Sequence, residues 1–119
     1  MKKLKIGIMP REQYQERMIA IASGKLKPKP GEPKIWFSSL KSVAQILSEE
    51  NVQLLKVIAS EQPESISELA EITGRQRSNL TRTLNTMTKY GIVDMVNINK
   101  KVKKPVAKAF VFDIQYAVA

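Results

Sequence analysis

Between Ser65 and Val96 the chain is punctuated so tightly that few folds can hold it. Ser65-Ile-Ser-Glu68 has the form of a capping box, in which a serine side chain caps the first backbone N–H groups of a helix and a glutamate reaches back to the cap. The spacing predicts a helix over 66–73, with Ile66, Leu69, Ala70 and Ile72 at helical intervals and Gly74 as its stop. A second helix over 76–90 carries Leu80, Leu84 and Met87 on one side and ends at Gly91. Ile92 to Ile98 then alternates as a strand does, and so does Val106 to Phe112. The polar run Asn97 to Pro105 joins the two as a hairpin with a lysine-rich tip.

The elements before Ser65 are marked less sharply. Residues 3–9, KLKIGIM, alternate as a short strand with one buried face. Pro10 opens a helix over 10–23, whose expected apolar stripe is Tyr14, Met18, Ile19, Ala22 and Ile21, and Gly24 closes it. Three prolines and a glycine in KLKPKPGEP, 25–33, read as an extended linker. Ile35-Trp-Phe37 is β-prone, Ser38 and Ser39 are candidate caps, and Leu40, Val43, Ala44, Ile46 and Leu47 lie at helical spacing. Ser48 caps a helix over 49–60, whose broad apolar face holds Val52, Leu54, Leu55, Val57 and Ile58. Helix, helix, short turn, helix and hairpin is the element order of a winged helix-turn-helix. The expected fold is therefore mainly α with a small β component: a strand–helix extension at 1–24, a Pro-rich linker at 25–34, the winged helix-turn-helix at 35–114 and a tail at 115–119.

Charge separates these regions. Arg75 to Lys108 holds nine basic residues and one acid, whereas residues 1–74 hold eleven and nine, so nearly all of the net +9 lies on the last predicted helix and the hairpin. Such a segregated basic surface suits a polyanion, because releasing condensed counterions from phosphates rewards clustered Lys and Arg. There is no cysteine and no histidine, which removes disulfides, zinc fingers and Cys/His catalysis. No cofactor is expected. The carboxylate pairs Glu49-Glu50 and Glu68 with Glu71 sit at helix starts or beside the capping box, and there is no glycine-rich phosphate loop or nucleophile elbow. Catalysis is not expected. No apolar run approaches the ~20 residues that span a bilayer, and the N-terminus lacks the apolar core of a secretory signal, so a cytoplasmic protein without a membrane partner is expected.

On a helical wheel the side of 76–90 opposite Leu80, Leu84 and Met87 bears no acid and no large hydrophobe. The candidate DNA-binding residues there are Arg75, Gln76, Arg77, Ser78, Asn79, Thr81, Arg82, Asn85 and Thr86. Arginine can bond guanine O6 and N7 together, asparagine can do likewise with adenine, and hydroxyls can reach phosphate or base edges. Lys100, Lys101, Lys103 and Lys104 are expected at the hairpin tip as phosphate contacts. The plainer alternatives are a solvated helix face and lysines that keep the hairpin soluble and its edge unpaired. Lys25, Lys27, Lys29 and Lys34 are assigned to the linker, and Trp36 and Phe37 to core or interface.

The stretch SISELAEITGRQRSNLTRTLNTMTKYGIVDMV resembles the winged-helix cores of small prokaryotic regulators of the MarR and ArsR type. The resemblance rests on Glu68-Leu69-Ala70, Gly74 and Tyr90-Gly91-Ile92-Val93, with Met87 where leucine is commoner. The wider pattern over 35–112, including SSLKSVAQILSEENVQLLKVI, is similar to a family of short prokaryotic DNA-binding proteins that includes antitoxins. The basic segment on the helix-turn-helix and hairpin points to a regulator of transcription acting on double-stranded DNA, a repressor. The resemblance places the start of the 76–90 helix in the major groove, with Arg77, Ser78, Asn79 and Arg82 as the base-contacting group. A palindromic site needs two-fold symmetry, so the strand and helix of 3–23 are expected to form a homodimer or bind a partner, with a plain packing extension as the alternative. The resemblance also implies a small toxin protein as a further partner. A protein-docking module or an RNA binder, using the same basic face, remains the alternative.

Overall fold

The computed structural model describes residues 3–118; Met1 and Lys2 of the N-terminal extension and Ala119 of the tail lie outside the described residues. The described chain is a mixture of five helices and five strands in the order β1 (Lys3–Ile8), α1 (Arg11–Ala22), β2 (Ile35–Phe37), α2 (Leu40–Ile46), α3 (Glu49–Glu61), α4 (Ile66–Thr73), α5 (Arg77–Lys89), β3 (Val93–Asn97), β4 (Lys103–Ala107) and β5 (Val111–Gln115). Three strands form a parallel sheet in the order β2-β1-β5, and β3 and β4 form an antiparallel hairpin.

β1 is the middle strand, and its second half, Ile6 to Ile8, is buried on both faces. Ile6 and Ile8 are buried and pair in register with Ile35 and Phe37 of β2. Gly7 lies opposite Trp36, whose ring passes within 2.3 Å of where a Cβ on Gly7 would stand, so only glycine leaves room for it. The Arg17 guanidinium of α1 sits 5.4 Å from the Trp36 ring centroid and forms an ion pair with Glu32. That contact is the main polar tie of α1. The helix itself buries no residue, so the expected apolar stripe is corrected: Tyr14, Met18 and Ile19 are exposed, and Ile19 keeps 68% of its surface open to solvent. Periodicity marks which side chains share a face, but says nothing about whether another element covers that face.

The remaining helices bury their stripes. Ser39 and Ser48 cap α2 and α3 through their side chains, each accepting a backbone N–H three residues on. Ser65 accepts from the Glu68 N–H at 3.0 Å, while the Glu68 carboxylate reaches back to the Glu64 N–H at 3.1 Å, one residue before the cap named by the usual box. Gly74 ends α4 with φ 73°, the left-handed geometry that glycine adopts without strain. One core joins the two halves: Ile6, Ile8 and Phe37 from the sheet meet Val43, Leu54, Leu55, Ile58, Leu69, Leu80, Leu84, Met87 and Ile92. The Phe37 and Tyr90 rings stack at 4.0 Å, tying β2 to the end of α5.

The second hairpin strand departs from expectation. Val106 to Phe112 is not one strand; β4 begins earlier, at Lys103, and ends at Ala107, and Val111 starts β5, which leaves the hairpin to pair with β1. Pro105, expected in the loop, lies within β4 opposite Met95. A two-stranded ladder has only edge strands, where a missing N–H is tolerated. Lys108 is the one polar side chain between Val106 and Phe112, so the apolar run carries no mark of where the chain changes sheets.

Candidate nucleic-acid interface

α5 is held by its apolar side. Leu80, Leu84 and Met87 are buried, which turns Arg77, Ser78, Asn79, Arg82, Asn85 and Thr86 to solvent and leaves Thr81 half-buried. Gln76 stands at the N-cap with no side-chain cap bond, so the first N–H groups of the helix have no protein cap. Among the described residues Arg77 and Arg82 form no ion pair. The Thr81 hydroxyl donates to the Arg77 carbonyl at 2.9 Å and the Thr86 hydroxyl to the Arg82 carbonyl at 3.1 Å. With their protons so used, both hydroxyls are left as acceptors.

Arg75 is differently placed. It is half-buried, and its guanidinium donates twice to Asn79 Oδ1, from Nε at 3.1 Å and from Nη2 at 2.7 Å, with longer bonds of 3.4 Å to Asn51 Oδ1 and Thr83 Oγ1. It acts as a clamp between α3 and α5. With its oxygen so occupied, Asn79 offers its amide N–H groups outward. Asn51 extends the network by donating to the Ile46 carbonyl at 3.0 Å. Asn51 and Thr83 were not among the sequence candidates, because a polar residue on a helix gives no sign of a partner 24 residues away.

The four lysines do not share one place. Lys100 and Lys101 are exposed on the loop between β3 and β4, which Asn99 shapes by accepting the Lys101 and Val102 N–H groups at 2.9 and 3.0 Å. Lys103 and Lys104 instead lie within β4, opposite Asn97 and Val96, which corrects their placement at the tip. Lys104 also pairs with Glu64 at 3.5 Å, an exposed contact of small energetic weight. A cavity of about 320 Å3 opens between α2, the start of α3 and α5, with Ser42, Gln45, Asn51, Arg82, Thr83 and Thr86 in its lining. Among the described residues no group of His, Cys, Asp and Glu is placed to hold a metal ion, and no helix is long and apolar enough to cross a membrane.

No curated protein and no solved structure matches the chain. One family model does, over residues 46–114, from the last residue of α2 to the fourth residue of β5. The matched span holds every candidate interface residue and omits β1, α1 and β2. Because it covers more than half of the chain, the protein belongs to the HVO_A0114 family.

Proposed function

We propose that α3, α4, α5 and the β3–β4 hairpin form a winged helix-turn-helix that binds double-stranded DNA and regulates transcription, as a repressor acting in homodimeric form. The observation that carries this reading is the outward face of α5. It is acid-free, it bears two arginines without ion-pair partners among the described residues, and it is followed by an exposed lysine loop. Arg82 and Arg77 carry the donor pair that can bond a guanine edge bidentately, and the uncapped start of α5 suits a phosphate. Lys100 and Lys101 add backbone contacts that raise affinity without reading sequence. Arg75 contributes by positioning Asn79. A toxin-binding antitoxin role is a narrower form of the same reading, with residues 1–35 as the partner-binding part.

The test is a titration of a duplex from the gene's own upstream region against a scrambled duplex at two salt concentrations. The native duplex should bind more tightly, and the preference should persist at higher salt. Arg82→Ala should cost about 1–3 kcal/mol on the native duplex and little on the scrambled one. Equal losses on both would remove Arg82 from base reading, and no binding to either would turn the reading toward protein docking.

A further inference from the structure

A basic notch opens where the parallel sheet is incomplete. β1 has six residues and β2 three, and β2 pairs only with Ile6, Gly7 and Ile8. Lys3, Leu4 and Lys5 therefore have β5 on one side and no strand on the other. That side opens into a cavity of about 440 Å3, within the range of small-molecule sites. Four lysines line it: Lys3 and Lys5 from β1, Lys34 from the linker and Lys108 from the segment after β4. Leu4, Ile35 and Ala109 give it an apolar part.

The charges in this notch are not balanced. Among the described residues Glu32 is the only acid in the lining, and its carboxylate is already taken by Arg17, whose hydrogen bond holds its pKa below the ordinary carboxylate value. Lys3 stands 3.8 Å from Asp113, whereas Lys34 and Lys108 form no ion pair among the described residues. Lys5 is half-buried and donates to the Gly31 carbonyl at 2.9 Å, which fixes its ammonium and leaves two of its three donors for a ligand. Like charges brought to one cavity repel, and a bound polyanion would reverse that cost.

We propose that this notch binds a phosphate-bearing small molecule of nucleotide size. Lys5, Lys34 and Lys108 face its phosphates, and the half-buried Leu4 and Ile35 face its body. The site would sit at a joint of the molecule. Gly91, also in the lining, directly follows the last turn of α5 and donates to the Thr88 carbonyl at 3.1 Å, and the Lys108 N–H donates to the Ile92 carbonyl at 2.9 Å. A ligand there would brace the N-terminal sheet against the end of α5. The inference does not depend on DNA binding.

The full chain would be titrated with ATP at constant ionic strength while following emission from Trp36. This is the only tryptophan, and it lies under the arginine that holds Glu32. Saturable one-to-one binding is expected, with pyrophosphate competing and adenosine failing to compete. Lys34→Gln/Lys108→Gln, two exposed positions, should weaken it at least about tenfold through loss of charge-assisted hydrogen bonds. Lys100→Gln/Lys101→Gln should leave it unchanged. A non-saturating response, equal loss in both double variants, or competition by adenosine equal to that by ATP would overturn the proposal. Loss of duplex affinity in Lys34→Gln/Lys108→Gln without any ATP binding would also overturn it, by making the notch a DNA-backbone contact.

Discussion

Helices α1 and α5 are nearly the same length, 12 and 13 residues, yet they relate to the core in opposite ways. α5 buries Leu80, Leu84 and Met87, and α1 buries nothing. The difference teaches what a recognition surface requires. A helix can present a fixed row of polar side chains only if its other side is locked by packing. In α5 that lock is a close-packed stripe, reinforced by the Arg75 clamp on Asn79 and Thr83. α1 is tied mainly through Arg17 to Trp36 and Glu32, so its exposed side chains are held far less firmly.

The largest expected break in this contrast is Leu84→Ala. Leu84 is 1% exposed, and its truncation should cost about 2–5 kcal/mol in chemical denaturation through lost burial and a residual cavity. The matching change on the other helix, Ile19→Ala, should stay within about 0.5 kcal/mol. Similar losses at the two sites would abolish the distinction between an anchored and a tethered helix. Next in size is Ser65→Ala, which removes the cap on α4, the helix packed against α5. Loss of its bond to the Glu68 N–H should lower unfolding free energy by about 1 kcal/mol, with the affinity of any ligand of the α5 face falling less than stability does.

The smallest effect lies on the α1 side and depends on pH. The hydrogen bond from Arg17 lowers the pKa of Glu32 in the folded chain below the ordinary carboxylate value. A depressed folded pKa stabilises above the unfolded value, and that contribution disappears as pH falls through the folded one. Stability followed by Trp36 emission should therefore decline in acid below that ordinary value, and Glu32→Gln should flatten this limb. An unchanged acid limb in Glu32→Gln would show that the Arg17 contact contributes nothing to holding α1.

Helix starts and stops were the most legible features, because caps act locally. Ser39, Ser48 and Ser65 each accept a backbone N–H three residues on, and Gly74 adopts the positive φ that its role as a stop requires. The orientation of α5 was equally legible, since three buried residues at helical spacing leave only one side free. Pairing between distant strands was not. Val106 to Phe112 is apolar except at Lys108, and no residue in it announces that Val111 will join Lys3 rather than continue beside β3. Nor does a lysine on a proline-rich linker announce that it will meet another from the end of the hairpin.

By itself the sequence determined where helices begin and end, which face of α5 is buried, and where the positive charge collects, because each follows from interactions within a few residues. Only the tertiary structure decided that β1 lies between β2 and β5, that Arg75 clamps Asn79, and that Lys5, Lys34 and Lys108 share one notch. Those outcomes depend on which surfaces can be buried together, a choice made among segments far apart in the chain and invisible to any local pattern.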